Sequence, residues 1–401
     1  MSKSPVAALW TPSGRGAIAT IRVCLEPGSR PLLDALPYRA ANGKPLSAQA
    51  IGRIVFGHWG TGAGEEAVTC AIDDRTLEIH CHGGEAAARS ILRDLESSGC
   101  LLVSWPEALR HGELPLRAEI VEQVCRATTL RTAAILWEQA NGVFESSVRS
   151  LIESMPASTT TAAERIRDWL AWGEFGLHLT RPWRVVLAGR PNVGKSSLIN
   201  AILGYTRSVV FDQPGTTRDV VSASTAIDGW PIELSDTAGL RESADPLEAE
   251  GIERARATLN AANLVLVLID ISQPKSQSDR ALIAEYPRAI IVAHKCDLPT
   301  FEGMEEEPPL ESADWLRVSS KTGAGIDALV TAISHTLVPR VPPSKCLIPV
   351  TERQIALLAR AVEAVQRSDA LGSLNELLAA SDSSPPEQAH SANRKGSPAT
   401  S

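Results

Sequence analysis

One short stretch of the chain has the residue types and the spacing needed to bind phosphate. Residues 189–196 read Gly-Arg-Pro-Asn-Val-Gly-Lys-Ser, which is the pattern G-x-x-x-x-G-K-S. In this pattern backbone N–H groups converge on phosphate oxygens, the lysine neutralises the β- and γ-phosphates, and the hydroxyl ligates Mg²⁺. The residues expected to bind a nucleotide here are Gly189, Asn192, Val193, Gly194, Lys195, Ser196 and Ser197.

A second group of residues has the chemistry to hold a metal ion and a γ-phosphate. Asp236 opens Asp-Thr-Ala-Gly, the pattern D-x-x-G, at the end of an apolar run. We expect its carboxylate beside Mg²⁺ and the Gly239 N–H at the γ-phosphate. Residues 214–219 read Pro-Gly-Thr-Thr-Arg-Asp, a loop of the kind whose threonines, here Thr216 and Thr217, close over Mg²⁺ and γ-phosphate. The expected magnesium ligands are Ser196, Thr217 and Asp236.

A third group could recognise the base. His294, Lys295 and Asp297 follow an apolar run in the order His-Lys-Cys-Asp. An aspartate here can accept both the ring N–H and the exocyclic amino group of guanine, a pair that adenine lacks, so Asp297 favours GTP over ATP. The alternative is a charged loop at a strand end. The residues expected to complete the base pocket are Ser319, Ser320 and Lys321.

Short apolar strands must position these residues. The sequence predicts strands at 184–188, 264–270, 289–293 and 315–318, and a helix from 197 that ends at Gly204. Asp228-Gly229 between two further apolar runs predicts a β-hairpin. The fold class expected is α/β: a P-loop GTPase domain with a mostly parallel sheet and helices on both faces.

Helical patterns flank this region on both sides. Leu136, Ala140, Phe144 and Leu151 share one helix face, and Thr-Ala-Ala-Glu at 161–164 predicts a capping box for the next helix. We therefore expect the GTPase domain to be inserted in a helical domain, preceded by a small α/β N-terminal domain. The predicted parts are 1–115 (N-terminal α/β), 116–180 (helical, first part), 181–338 (G domain), 344–380 (helical, second part) and 381–401 (disordered tail).

Composition limits the kind of partner. The 401 residues carry 39 Lys and Arg against 47 Asp and Glu, a net charge of −8, so no field over the whole molecule attracts nucleic acid or an anionic membrane. The longest apolar run, 264–269, is far too short to span a bilayer. The seven cysteines form no C-x-x-C pair, which is typical of free thiols in a reducing compartment. We expect a cytoplasmic protein without a membrane partner.

Taken together and in this order, the motifs resemble the translation-factor-related GTPases. The runs at 189–197, 214–219 and 236–241 resemble more narrowly the tRNA modification GTPase family MnmE, also called TrmE. One departure is His294, where the family has Asn. An imidazole N–H can reach a purine N7, but it does not reproduce the two-ended hydrogen bonding of an amide.

The resemblance also implies how hydrolysis is driven. Leu240 stands where Ras-like enzymes have a glutamine that orients water. In the family a K⁺ ion, ligated at the position of Asn192, replaces an arginine finger, and pairing of two G domains in a homodimer orders its loop. Glu248 matches the family's water-positioning glutamate, although its spacing alone fits an exposed carboxylate at a helix start equally well.

The resemblance continues outside the G domain. Residues 11–18 and 77–84 are similar to the family's N-terminal signatures, which belong to a dimerising domain that binds formyl-tetrahydrofolate. The resemblance further implies tRNA and an FAD-dependent MnmG-like protein as partners. The chain departs from the family at 108–115, and no cysteine follows Cys346. Two alternatives stay open: a nucleotide-sensing paralogue that does not complete tRNA modification, and a ribosome-assembly GTPase.

Overall fold

A computed structural model gives the fold of most of the chain. It describes residues 4–12, 14, 16–62, 64–112, 115–154, 159–206, 222–236, 259, 261–302, 315–365 and 370–378. Within this part of the chain, no helix combines the length and the apolar character needed to cross a bilayer. The residue numbers at which we divide the chain into parts stay predictions, and the predicted tail lies outside the described residues.

A seven-stranded sheet forms the first part of the chain. Its strand order is β3-β4-β5-β6-β2-β1-β7, antiparallel except for the β1–β7 pair. Alternate residues of β6, such as Leu77 and Ile79, are buried and pack with Ile91 and Leu95 of α1. The elements are β1 (Val6–Leu9), β2 (Ile18–Cys24), β3 (Tyr38–Ala40), β4 (Ile54–Trp59), β5 (Glu65–Ala71), β6 (Thr76–His82), α1 (Glu85–Ser97) and β7 (Leu101–Leu102).

Six helices follow. They are α2 (Trp105–Gly112), α3 (Pro115–Arg126), α4 (Leu130–Glu138), α5 (Phe144–Ser154), α6 (Thr159–Leu170) and α7 (Gly173–Leu177). Leu136, Phe144 and Leu151 are buried together, as their spacing predicts. The predicted capping box is wrong, because α6 already begins at Thr159 and Thr161 lies inside the helix.

A kink between α4 and α5 ties this helical part to a distant segment. Residues Gln139–Val143 form a π-type turn in which Gly142 has a φ of +100°. The buried Gln139 side chain donates to the Cys346 carbonyl at 2.9 Å and accepts the Ile348 N–H at 3.2 Å. The helices α11 (Glu352–Val365) and α12 (Ala370–Leu378) then pack against α6 and α5. The helices α5 and α6 and the helices α11 and α12, which lie far apart in sequence, therefore share one core.

A six-stranded sheet lies between these two helical segments in sequence. Its order is β13-β12-β11-β8-β10-β9, with every neighbouring pair parallel except the β9–β10 hairpin. The elements are β8 (Trp183–Ala188), α8 (Lys195–Thr206), β9 (Ser222–Ile227), β10 (Trp230–Asp236), β11 (Leu264–Asp270), α9 (Gln277–Glu285), β12 (Ile290–His294), β13 (Trp315–Val318) and α10 (Ile326–Leu337).

This sheet has helices on both faces. Residues of α8 and α10 pack with Val185 and Leu187 of β8, whereas Leu282 of α9 packs with Val267 of β11 on the other side. The predicted α/β class with a mostly parallel sheet is confirmed. Helix α8 starts two residues before the predicted position and runs past Gly204 to Thr206.

The start of α4 holds the turn of the β9–β10 hairpin. Thr129 Oγ1 donates to the Gly229 carbonyl at 2.6 Å, and Arg131 Nη1 donates to the Asp228 carbonyl at 2.7 Å and to its carboxylate at 2.6 Å. The Arg131 guanidinium lies 4.1 Å from the centroid of the Trp230 ring. These contacts attach the helical part to β10, the strand that carries Asp236.

Two glycine-to-alanine changes should have opposite effects on stability. Gly229 has a φ of +75°, and a Cβ there would lie 3.0 Å from Arg131 Cβ, so Gly229→Ala should cost about 1–2 kcal/mol. Gly204 lies in α8 with open space around it, so Gly204→Ala should stabilise by about 0.5–1 kcal/mol. Urea unfolding of both variants beside the parent chain measures this. Equal midpoints for the two variants would contradict the described hairpin turn.

Candidate nucleotide-binding site

The phosphate loop connects β8 directly to α8, and its backbone requires unusual conformations. Asn192 has a φ of +61°, which asparagine tolerates better than most residues. Gly194 has a φ of +104°, and a Cβ there would lie 2.5 Å from His294 Cε1. Position 194 therefore requires glycine for two reasons: its positive φ, and the close packing of the His294 ring against its backbone. The loop ends at the N-terminus of α8, where helix N–H groups favour an anion.

Lys195 and Ser196 face the end of β10. The Lys195 side chain is 5% exposed and donates to the Gly189 and Arg190 carbonyls, both at 3.1 Å. Its ammonium nitrogen lies 3.8 Å from Asp236 Oδ1, and Ser196 Oγ donates to Asp236 Oδ2 at 3.0 Å. A hydroxyl and a carboxylate in contact, beside a buried cation, are the donor set that Mg²⁺ takes together with nucleotide phosphates. The residues fit the metal that the sequence predicts.

The neighbouring strand β11 ends in an aspartate that sequence analysis did not single out. Asp270 is buried and accepts from Lys295 Nζ at 2.6 Å, and Lys295 Nζ also donates to the Asn192 carbonyl at 3.2 Å. Burial acts to raise the pKa of Asp270, but hydrogen bonds from Lys295 and Ser272 outweigh it and hold that pKa below its ordinary value. Lys295 is thereby fixed between the strand end and the phosphate loop. An aspartate at the end of a parallel strand is the signal that could have identified it.

Asp297 and the loop after β13 meet at the far side of the site. The buried Ser319 hydroxyl donates to Asp297 Oδ1 at 2.7 Å and accepts the backbone N–H groups of Lys321 and Thr322 at 3.3 and 3.2 Å. The hydrogen bond from Ser319 lowers the pKa of the Asp297 carboxyl, which is solvent-accessible. An ionised carboxylate in a fixed orientation is what recognition of the guanine edge requires.

His294 lies between the phosphate loop and this base loop. Its ring is 2% exposed, with Nδ1 2.7 Å from the Val193 carbonyl oxygen and Nε2 3.0 Å from Ser320 Oγ. Burial lowers the pKa of the ring, and the neighbouring Lys295 charge acts in the same direction. The N–H that we expected at a purine N7 therefore points to Val193 instead.

A further ion pair, absent from the sequence analysis, anchors the phosphate loop on its other side. Arg190 Nε lies 3.1 Å from Oδ1 of Asp279, whose side chain is fully buried. Asp279 is also the third residue of α9 and forms a capping box with Ser276. The pattern Ser-x-x-Asp before a helix could have predicted the cap, but not its contact with Arg190.

The structure brings most of the predicted site residues to one edge of the six-stranded sheet. These residues are Gly189, Asn192, Val193, Gly194, Lys195, Ser196, Ser197, Asp236, His294, Lys295, Asp297, Ser319, Ser320 and Lys321. The predicted residues Thr216, Thr217, Gly239 and Glu248, and with them Leu240, lie outside the described residues.

Comparison with known proteins agrees with this geometry. The family model described as 50S ribosome-binding GTPase matches residues 184–295. The parallel sheet, the phosphate loop and this match define a P-loop GTPase. The tRNA modification GTPase MnmE of Chloroflexus aurantiacus is 32% identical over 94% of this chain and 92% of its own length. That of Thermus thermophilus is 32% identical over 91% and 89%. The chain belongs to the MnmE family.

Solved structures of other GTPases show a more distant likeness. Era from Aquifex aeolicus bound to GDP·AlF4⁻ is 27% identical, covers 45% of this chain and 66% of that chain, and has a TM-score of 0.31. The G domain of the FeoB iron transporter from T. maritima is 26% identical, covers 39% of this chain and all of that chain, and has a TM-score of 0.29. Family membership rests on the MnmE relatives.

The stability of the folded chain should depend on pH through the buried His294 and the half-buried His178. Burial lowers the folded-state pKa of His294 and of His178 below the ordinary value of 6.5. The unfolded chain therefore takes up protons first as pH falls. The contribution of the neutral histidines to the free energy of unfolding is fully present above about pH 6.5 and is lost as pH falls below it. We expect the free energy of unfolding, measured with urea at about pH 7.5 and 5.5, to fall less between these two pH values for His294→Gln than for the parent.

The control for removing a histidine is His335→Gln, at an exposed position on α10. It should keep the parent's dependence on pH. The assignment of His294 as a neutral buried ring fails if His294→Gln and His335→Gln lose the same stability on acidification.

Proposed function

We propose that this chain binds GTP with Mg²⁺, hydrolyses it, and couples hydrolysis to modification of the wobble uridine of tRNA. The observation that carries the proposal is the meeting of Lys195, Ser196 and Asp236 at the end of parallel strands, with Asp297 held by Ser319 at the same edge. Lys195 neutralises the β- and γ-phosphates, and Asp297 recognises guanine. The membership in the MnmE family supports the tRNA substrate.

The proposed metal ligands have separate roles. Ser196 and Asp236 would hold Mg²⁺ from two elements, α8 and β10, and the ion would neutralise negative charge on the phosphates. Thr217 closes over the ion, Thr216 contacts the nucleotide, and the Gly239 N–H contacts the γ-phosphate. These three roles rest on the resemblance to the family.

Hydrolysis is proposed to need K⁺ and a second copy of the chain. Asn192 is the K⁺ ligand, and its backbone is fixed because its carbonyl accepts from Lys295. K⁺ supplies the positive charge that an arginine finger supplies elsewhere. Glu248 positions the attacking water. Dimerisation of the G domains and an FAD-dependent MnmG-like partner follow from the resemblance.

A cleft in the N-terminal part is the proposed site of a formyl-tetrahydrofolate donor. Its volume is about 460 Å³, within the range of small-molecule pockets. The two segments that resemble the family's N-terminal signatures both contribute to its wall, through Thr11, Gly16 and Gly83, and the first two turns of α1 add Glu85 and Arg89. This combination of glycines, a helix N-terminus and apolar side chains suits a flat ring with an acidic tail.

Lys195→Ala should abolish GTP binding. The change removes the cation that neutralises the phosphates and leaves Asp236 without it, so the affinity should fall by more than about 100-fold. Titration with a fluorescent GTP analogue in Mg²⁺ measures this. Lys44→Ala, at an exposed lysine of the N-terminal part, is the matched control and should bind as the parent does. Equal titrations of Lys195→Ala and the parent would refute the proposed site.

Replacing NaCl by KCl at equal ionic strength should raise the rate of GTP hydrolysis by about tenfold or more. The reason is that K⁺ replaces an arginine finger, which accelerates hydrolysis by far more than about tenfold where it is present. Asn192→Ala should still bind GTP but lose the difference between the two salts. Phosphate release under single-turnover conditions gives the ratio of the rates, which partial loss of folded protein does not alter. A ratio near one in the parent would rule out the potassium mechanism.

A further inference from the structure

The contacts of His294 determine where its single proton lies. The Val193 carbonyl oxygen only accepts hydrogen bonds, so the Nδ1 atom 2.7 Å away must carry the hydrogen. A neutral imidazole then has an unprotonated Nε2, which accepts from the Ser320 hydroxyl at 3.0 Å. The low exposure of the ring and its lowered pKa agree with the neutral form. Both nitrogens are thereby used within the protein.

This tautomer has a consequence for base recognition. The N7 atom of a purine is an acceptor and needs an N–H or O–H donor. The donor nitrogen of His294 is committed to Val193, and Nε2 presents a lone pair, which does not bond to the lone pair of N7. The Asn that the family has at this position carries an amide NH₂ with two hydrogens and can donate to two acceptors at once.

Burial, more than the surrounding charges, opposes a second proton on the ring. Lys295 follows His294 in sequence and its charge opposes protonation, whereas Asp270 and Asp297 act in the opposite direction. Asp270 is itself paired with Lys295 at 2.6 Å, and Asp297 accepts from Ser319. The Gly194 backbone packs so closely on the ring that a Cβ there would lie 2.8 Å from Nδ1. The ring is therefore held in one orientation.

We propose that His294 is a positioning residue that joins the phosphate loop to the base loop, and that the site binds guanine nucleotides without a hydrogen bond from this position to N7. The inference rests on the proposed function, since it concerns how the same site recognises GTP. Guanine is then selected through its N1–H and amino edge at Asp297, and nucleotides that lack N7 bind as well as the natural ones. The ligand class is accordingly guanosine and 7-deazaguanosine di- and triphosphates.

The test compares GDP with 7-deaza-GDP, in which C–H replaces N7. Calorimetric titration of the unaltered chain in Mg²⁺ should give affinities that agree within about twofold. In His294→Asn the restored amide donor should favour GDP over 7-deaza-GDP by about two- to tenfold, the value of one neutral hydrogen bond. Ser320→Ala removes the partner of Nε2 but leaves Nδ1 on Val193, so its ratio should stay near that of the parent.

The ratio of the two affinities separates recognition from structural damage, because a loosened loop weakens both ligands together. A preference of more than about twofold for GDP in the unaltered chain, or a His294→Asn ratio equal to that of the parent, would overturn the inference. Binding of neither ligand by the unaltered chain would instead overturn the proposed function. The comparison in the unaltered chain does not depend on the folding of any variant.

Discussion

The site is organised around a positive charge that has almost no access to solvent. An ammonium group taken out of water costs several kcal/mol unless acceptors replace its hydration shell. For Lys195 these acceptors include two loop carbonyls and, at 3.8 Å, the Asp236 carboxylate. Each of them is positioned by a strand of the parallel sheet, since β8 leads into the loop and β10 ends in Asp236. The position of the Lys195 ammonium group therefore depends on the register between β8 and β10.

Motifs whose chemistry is local were predictable from the sequence. The phosphate loop is recognisable because its glycines and lysine act within eight residues, and Asp228-Gly229 predicts its hairpin because the turn is made by those two residues. The predicted strand at 264–270 coincides with β11, because a continuous apolar run of that length is typical of a strand in the interior of a sheet. These features need no knowledge of what lies elsewhere in the chain.

Contacts between distant segments were not predictable in this way. The sequence shows that His294 replaces an Asn, but its proton is assigned only once the Val193 carbonyl is known to face Nδ1. The ion pair of Arg190 with Asp279 likewise joins two segments whose separate patterns say nothing of each other. The start of α6 was misplaced because a Thr-x-x-Glu pattern also occurs inside helices, where Thr161 lies. Tertiary packing decides between such alternatives.

The bond between Gln139 and the Cys346 carbonyl has a consequence for how the chain is made. A ribosome releases the chain from the N-terminus, so α4 to α6 emerge long before the segment that Gln139 binds. During that interval the whole six-stranded sheet is synthesised, while the side of α6 that α11 will cover is still exposed to solvent. The six-stranded sheet that carries the nucleotide-binding residues is thus synthesised before the helical core on either side of it in sequence is complete. Closure of the helical core therefore follows synthesis of the sheet, and it costs the loop-closure entropy of the segment between Gln139 and Cys346.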